Sequence, residues 1–484
     1  MRKKIFVSGR FNVLHSGHFR LFNFAKSMAE ALVVGVFAED QIQGVKLASL
    51  EDRVGALRRI NLVDEVVVID RGVEATLEAV GPDLVLKGRE FVTLDNPEER
   101  WCKQSGAELI FSSGEWHDPV GDVTSVEPDS ASLLNIEFVT EYLHRNAISV
   151  ESIVDAIKKM SGMTVITLGD VIVDEYLLCE PLGMSQEEPA IILKPYEEEV
   201  FLGGAAIVAK NIKSLGGCSD LFSIVGDDAL GEWVENSMSE IDVNGTLVRS
   251  SERRTTQKTR YRVRGASSSY SLFRVSRLSE HEISRGLQDQ LFMKIMEALD
   301  NADALIFSDF NYGLLPDRLL NRVIKEAKSR QIMMSADSQT SSQVGDICRY
   351  KSVDLVFATE HEARISLKNK DDGLIVLSDQ LASATGANSV FLKLGAEGAL
   401  LHSNQSGTSA GRYSTDRLAA LNQKPIDVSG AGDAMLAAAT LAMVACGDIR
   451  ISFLVGSLAS AIQVSRTGNP GISRADLLEI ADRL

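Results

Sequence analysis

Asp427-Val428-Ser429-Gly430-Ala431-Gly432-Asp433, running straight into Ala434-Met435-Leu436-Ala437-Ala438-Ala439, decides how the larger part of this chain folds. Gly430 and Gly432, with only Ala431 between them, let backbone N–H groups approach a ligand without a Cβ in the way. The Ala, Leu and Met residues behind them are strong helix formers, so the loop is expected to empty into a helix N-terminus. Free amides and a macrodipole worth roughly half a positive charge favour an anion there, such as a phosphate. Asp433 is then expected in the first helical turn, beside that anion, placed to take a proton from an attacking hydroxyl. A turn leading into a buried Ala-rich helix is the alternative, so the rest of the chain has to decide.

A chain of 484 residues is too long for one ordinary core and implies two or three domains. Apolar residues at 45% and charged residues at 24% describe a soluble globular protein. A net charge of −17 argues against nucleic acid or an anionic membrane as partner. Cys102, Cys179, Cys218, Cys348 and Cys446 are scattered, without a Cys-x-x-Cys pair, which fits reduced thiols and neither a disulfide framework nor a zinc site. Met1-Arg2-Lys3-Lys4 leads directly into a strand-like segment with no signal-peptide apolar core. The small-apolar run from Ala434 to Cys446 is too short to span a bilayer. The expectation is a cytoplasmic protein with no membrane partner.

Upstream, Lys4 to Ser8 reads as a buried strand, followed by a glycine loop. His15-Ser16-Gly17-His18 opens an amphipathic helix, and Leu32 to Phe37 is the next strand. Strand, loop, helix, strand is a βαβ unit, hence a parallel sheet with its site at the strand C-terminal ends. Two histidines flanking Gly17 can face one ligand and donate hydrogen bonds to phosphate oxygens. A metal pair or helix caps are the competing readings, but no Cys, His-x-Glu or third ligand lies nearby.

Gly9-x-Phe11-x-x-Leu14-His15-x-Gly17-His18 resembles the signature of the cytidylyltransferase-like nucleotidyltransferases. Lys46, Leu50-Glu51-Asp52-Arg53, the strand Glu65 to Asp70 and Pro82 to Gly88 fall where that family has similar residues. The resemblance implies that His15, His18 and Lys46 neutralise an NTP triphosphate while a substrate phosphate attacks its α-phosphorus. It implies nucleotide contact for Gly9, Phe11, Gly17 and Lys87. The family's Ser/Thr-rich closing stretch is reduced to Asp122-Val123-Thr124-Ser125. Lys159-Met160-Ser161 downstream of the histidines evokes a class I aminoacyl-tRNA synthetase, but Gly162 replaces the expected lysine and the acidic chain suits tRNA poorly.

A helical connector is expected from Val139 through Ile157, with a domain boundary near 145 dividing residues 1–145 from 146–484. From the strand Thr164 to Leu168 a doubly wound α/β domain unrolls. Strand candidates at Leu221 to Val225, Ala304 to Phe307, Ile332 to Ser335, Leu355 to Phe357 and Ser389 to Leu394 alternate with helical stretches. The extended segments between Tyr176 and Phe201 are read as a small sheet outside the main layer. There is no Walker motif and no Gly-x-Gly-x-x-Gly fingerprint.

Gly203-Gly204-Ala205-Ala206 through Gly216-Gly217, paired with the Asp427 to Asp433 loop, resembles the ribokinase-like sugar kinases. Gly169-Asp170-x-x-x-Asp174, Glu187-x-Pro189 and Ser308-Asp309 resemble more narrowly the kinase half of the bifunctional heptose kinase/nucleotidyltransferases, here with the order of the halves inverted. The fold this implies is two doubly wound α/β domains, an HxGH nucleotidyltransferase fold and a ribokinase-like fold with a small β lid. It implies Asp433 as base and Gly430, Ala431 and Gly432 as anion hole. It further implies Asp174, Gly203, Gly204 and Asn211 at the sugar, Gly395 and Gly398 at the nucleotide, and Glu362 beside magnesium. Ile207, Asp337-Ser338-Gln339 and Thr359 depart from the heptose kinases, which have Asn, Asp-Pro-Lys and Asn there.

A kinase that makes a sugar 1-phosphate and a transferase that consumes one are consecutive chemistry. Positioning and charge neutralisation suffice for both. The resemblance implies ATP, a second NTP (ATP or CTP), magnesium, an ADP-heptose-like or CDP-linked product, and a homodimer through the kinase domain. Two uncoupled activities are the alternative within enzymes. A sugar-sensing pseudoenzyme, motivated by Ile207 and Thr359, is the alternative outside them.

Overall fold

A computed structural model describes residues 3–11, 14, 16–39, 48–88, 96–112, 134–185, 187, 190–264, 269–340, 343–404 and 413–484. His15, Lys46, Pro189 and the stretch Asp122 to Ser125 lie outside the described residues. By contact density the chain divides into two units. The first comprises Met1–Val126, Asn369–Gln380 and His402–Asp416, the second Glu127–Lys368, Leu381–Leu401 and Arg417–Leu484.

In the first unit β1 (Lys4–Gly9), β2 (Ala31–Phe37), β3 (Glu65–Ile69), β4 (Leu84–Gly88) and β5 (Glu108–Ser112) form one sheet in the order β3-β2-β1-β4-β5. Every pair is parallel. Near-continuous apolar runs such as Leu32-Val33-Val34 suit strands buried on both faces. Chain order reverses direction between β1 and β4, so the ligand crevice of such a sheet opens beyond their C-terminal ends. The helix Ser16–Met28 follows β1, and Phe19, Phe22 and Ala25 are fully buried on its inner face.

A nine-stranded sheet, carried mainly by the second unit, is built on β6 (Thr164–Gly169), β9 (Cys218–Gly226), β10 (Asn244–Ser250), β13 (Ala304–Asp309), β14 (Met333–Ser338), β15 (Leu355–Thr359), β16 (Ser389–Lys393), β17 (Ala399–Asn404) and β18 (Tyr413–Leu418). Their order is β10-β9-β6-β13-β14-β15-β16-β17-β18, and the run from β10 to β16 is parallel. β7 (Val171–Met184), β8 (Ile191–Gly204), β11 (Thr256–Arg264) and β12 (Ser269–Arg277) form a separate four-stranded sheet in the order β12-β11-β7-β8. The expected lid between Tyr176 and Phe201 is thus the hairpin β7–β8, and β11 and β12 complete it.

The helix Ala431–Cys446 is buried without interruption from Asp433 through Ala442. A helix apolar all round belongs at the centre of a core, and its residues join those of Ile449–Gln463 in one extensive cluster of buried residues. The helix Ile136–Asn146 packs into the same cluster through Val139, Tyr142 and Leu143. Tyr142 O–H also donates to Arg450 O at 3.1 Å. Among the described residues no helix is long and apolar enough to cross a membrane.

Candidate functional site

In the first unit the motif residues gather where β1, β2 and β4 end. Phe11, in a left-handed conformation (φ 46°), lays its ring against Gly9. Its ring centroid lies 5.3 Å from that of His18 and 5.7 Å from that of Phe22. Gly17 lies in the first turn of the helix Ser16–Met28. Lys87, near the end of β4, is buried and donates to Glu98 Oε1 at 2.7 Å, while Ser8 Oγ donates to the same oxygen at 2.6 Å. Arg53 is also buried and donates through Nη1 to Arg10 O (2.9 Å) and Phe37 O (2.8 Å), fastening the ends of β1 and β2 together. Burial pulls its pKa down, with Glu39 opposing.

In the second unit the decisive loop behaves as its residues dictate. Gly430 takes a left-handed conformation (φ 74°) and caps the helix Ala431–Cys446. Any side chain there would also strike Asn469 Oδ1. The first amides of a helix have no partner within it. Ala431 N donates to Val428 O and Ala434 N to Gly430 O, which leaves the amides of Gly432 and Asp433 for a ligand. Asp433 occupies the first turn, and its Oδ1 accepts from Gln339 Nε2 at 3.0 Å. Burial and then the Asp337 carboxylate push Asp433 up to about 7, against the pull of Lys393 and Lys258. A carboxyl poised near neutrality is what proton transfer at physiological pH requires.

Around it stands a tight group of charges. Lys393 Nζ, at the end of β16, donates to Asp337 Oδ2 at 2.6 Å, and a Cβ on Gly432 would lie only 3.3 Å from that nitrogen. Burial pushes Asp337 up to about 6, with Lys393 opposing and Glu362 adding to the rise. Glu362 lies in the first turn of the helix Glu360–Leu367, in a reciprocal capping box with Thr359. Its oxygens accept from Thr340 N (3.0 Å) and Thr359 N (2.7 Å). Although burial opposes its ionisation, Lys393 and these amides hold its carboxyl below the usual range. The departure at Thr359 is therefore an N-cap of good type. Among the described residues no three carboxylates, histidines or cysteines make a ready cation site.

The lid contributes a basic row. From β11, Arg260 Nη1 donates to Asp174 Oδ1 (2.6 Å) and Arg262 Nη1 to Asp427 Oδ2 (3.4 Å). Lys258 Nζ lies 4.8 Å from the Phe310 ring and acts on Asp433. Asp174 lies against Gly203, where an added Cβ would come within 2.3 Å of its Oδ2 and displace the carboxylate. Asp427 ties the loop to the lid, accepting from Tyr176 O–H at 2.9 Å, Ser429 N at 3.0 Å and Gly468 N at 3.2 Å.

The remaining expected residues are less central. Gly204 caps the helix Ala205–Ser214, and Asn211 on that helix is fully buried, with Oδ1 accepting from Ile472 N at 3.1 Å. Seven residues of helix put Asn211 about 10 Å below Gly204. Ile207 is core. Gly395 and Gly398 bound the short turn after Lys393. Sequence reasoning missed Lys393, the role of Gln339, Glu98 and the Lys258/Arg260/Arg262 row. Only the row left a signal, basic residues at alternate positions of an extended stretch.

Residues 164–472 match the pfkB family of carbohydrate kinases, and residues 6–154 match the cytidylyltransferase-like family. The chain belongs to the pfkB carbohydrate kinase family. Ahead of its kinase domain it carries a cytidylyltransferase-like domain. It is 28% identical over 335 residues to "Bifunctional protein HldE" of Caulobacter vibrioides, a match covering 67% of this chain and 64% of that protein. The pfkB fold recurs in phosphofructokinase-2 from Escherichia coli solved with substrates and products (TM-score 0.53, 18% identity, 67% of this chain and 99% of that one). It recurs in Arabidopsis thaliana ribokinase complexed with ribose and ATP (TM-score 0.51, 18% identity, 66% and 99%).

Proposed function

We propose that the chain is a bifunctional enzyme that activates a sugar in two steps. In the first, the second unit transfers the γ-phosphoryl group of ATP to the anomeric hydroxyl of a sugar phosphate. The sugar oxygen bonds to phosphorus, the bond from phosphorus to the leaving ADP oxygen breaks, and the hydroxyl proton passes to Asp433. In the second, once hydrolysis by a separate phosphatase has released the other phosphate as inorganic phosphate, the first unit lets the sugar 1-phosphate attack the α-phosphorus of an NTP, releasing pyrophosphate and an NDP-sugar of the ADP-heptose type. His15, His18 and Lys46 are assigned to the triphosphate of that second step, and Gly9, Phe11, Gly17 and Lys87 to nucleotide contact.

The observation that carries the kinase reading is Asp433, raised to about 7 on the same helical turn as the Gly432 and Asp433 amides. Base and anion hole then meet the nucleophile and the phosphoryl group at one place. The row of Lys258, Arg260 and Arg262 favours a substrate that itself carries a phosphate over a neutral sugar. Asp174 and Gly203 are assigned to the sugar. Gly204 and Asn211 are assigned to holding the helix behind it.

Magnesium bound with ATP supplies charge neutralisation. It usually takes one or two carboxylates and otherwise phosphates and water, which fits Asp337, whose buried Oδ1 has no partner, and Glu362 next to it. The lid leaves Leu182, Met184, Ile191, Ile192, Tyr196 and Phe273 exposed. We assign this apolar face to a homodimer contact, which sedimentation at micromolar concentration tests. The five unpaired cysteines fit a reducing cytoplasm.

Incubating the purified protein with ATP, all four NTPs and a panel of sugars and sugar phosphates, read by mass spectrometry, tests the whole assignment. A sugar bisphosphate is expected from a sugar phosphate, and an NDP-sugar from a supplied sugar 1-phosphate. Ligand binding with no ADP release from any sugar would leave a sensor in place of an enzyme.

A further inference from the structure

We propose that Lys393 is a catalytic residue of the kinase step, the cation that meets the phosphoryl group in transfer, with Asp337 as the carboxylate that positions it. The inference rests on reading the Gly430–Asp433 turn as the phosphate cradle.

Lys393 is the last residue of β16, at the C-terminal edge of a parallel run of strands where α/β sheets place their ligands. Its Nζ, Cδ and Cε come within 3.3, 3.6 and 3.9 Å of where a Gly432 Cβ would stand. The missing side chain at Gly432 is therefore what admits the ammonium to the first turn of the helix. A cation is repelled by the N-terminal end of a helix dipole, and burying one is costly unless it is paired. The position is unfavourable unless an anion joins ammonium and amides. A transferring phosphoryl group does this, accepting from the Gly432 and Asp433 amides on one side and from Lys393 on the other.

The hydrogen bonding leaves room for it. An ammonium has three donors, and among the described residues the one hydrogen bond of Lys393 runs to Asp337 Oδ2 at 2.6 Å. That bond fixes the direction of the side chain and keeps two N–H groups for a ligand.

The charges point the same way. Asp337, Glu362 and Asp433 all act on Lys393, whose own side chain is 12% exposed. Three carboxylates would repel a triphosphate. Gln339, which donates to Asp433, is neutral, so the charge is offset by Lys393, together with Lys258 from the lid and the magnesium that ATP would bring. The transition state spreads negative charge over the three equatorial phosphoryl oxygens, so a cation aimed there lowers the barrier more than it aids binding.

The test compares Lys393→Met and Lys393→Arg with the unaltered full-length protein, measuring sugar-phosphate-dependent ADP release and thermal unfolding. Loss of one preorganised donor typically costs about 10²–10³-fold in kcat. Lys393→Met is expected to lose that much, with the KM for the sugar phosphate changed by less than about threefold, because an interaction made only in the transition state lowers kcat without weakening binding. Lys393→Arg should recover at least a tenth of the rate, because charge and ion pair persist. A Lys393→Met protein turning over within threefold of the unaltered one overturns the inference and leaves the kinase reading standing. An unaltered protein that releases no ADP with any sugar phosphate removes the kinase reading, and the role of Lys393 with it. Should Lys393→Met fail to fold, Asp337→Asn/Lys393→Met removes both members of the ion pair together. Its turnover should stay as low, and a near-normal rate would mark the pair as purely structural and overturn the proposal.

Discussion

Two buried lysine–carboxylate pairs, one in each unit, look alike in isolation and differ in their company. Lys87 donates to Glu98 at 2.7 Å and Lys393 to Asp337 at 2.6 Å. Both lysines stand at the C-terminal ends of parallel strands. Around Glu98 the second donor is a hydroxyl, that of Ser8. Around Lys393 the neighbours are more carboxylates, Glu362 and Asp433, so negative charge exceeds positive, and burial, with these carboxylates adding to it, lifts Asp337 to about 6 and Asp433 to about 7. Ion pairs of similar length can thus serve different ends. A carboxylate sharing its oxygen between two donors anchors both in place, whereas an excess of carboxylates at a helix N-terminus suits a ligand that brings cations and phosphate.

Separating the units gives the largest expected effect on this comparison. The helix Ile136–Asn146 buries Val139, Tyr142 and Leu143 in the core of the second unit. At about 1.5–3 kcal/mol per large apolar side chain, that helix contributes on the order of 5–9 kcal/mol. A fragment starting at Glu127 should unfold cooperatively, whereas one starting at the 145–146 boundary should be insoluble or molten. Equal denaturation midpoints would show that the helix belongs to neither core.

Asp433→Asn should come next. It keeps the size and the helix start but removes the base, so kinase turnover is expected to fall about 10²–10⁴-fold. Pyrophosphate release from supplied sugar 1-phosphate should not change. If both activities drop together, the two pairs serve one site and the contrast between them collapses.

Glu98→Gln strands the buried ammonium of Lys87, and removing one member of such a pair costs roughly 3–5 kcal/mol. Urea unfolding should show the loss in the first unit. The double variant Lys87→Met/Glu98→Leu should recover most of it. A single variant as stable as the unaltered protein would mean that Glu98 is no anchor.

The smallest effect is on pH dependence. An acid whose folded-state pKa lies above its unfolded value holds its proton more tightly when folded. Asp433 therefore makes the protein lose stability as pH rises from about 4, its ordinary value, to about 7. Asp433→Asn should unfold later than the unaltered protein at pH 8 by on the order of 1–4 kcal/mol, and no later at pH 4. The kinase rate of the unaltered protein should climb about tenfold per pH unit below 7 and then level. A flat profile from pH 5 to 8 would separate Asp433 from the proton transfer.

Local chemistry written in consecutive residues was readable in the chain itself. The glycine–alanine–glycine turn ahead of a helix-forming run could only start a helix, so Asp433 was placed in its first turn before any contact was known. The hydrophobic runs at Leu32 to Phe37 and Thr164 to Leu168 could only be buried parallel strands, because nothing polar alternates in them. Burial, pairing and charge balance depended on residues far apart in the chain. Lys393 and Asp337 are 56 positions apart, Tyr176 and Asp427 are 251 apart, and β11 pairs with β7 across three strands and two helices. A lysine at the end of a strand carries no sign of which carboxylate it will meet. Strand order determines that, by bringing β14, β15 and β16 side by side. Likewise the shift of Asp433 toward neutrality is a property of exclusion from water beside Asp337, which exists only once the fold has closed around them.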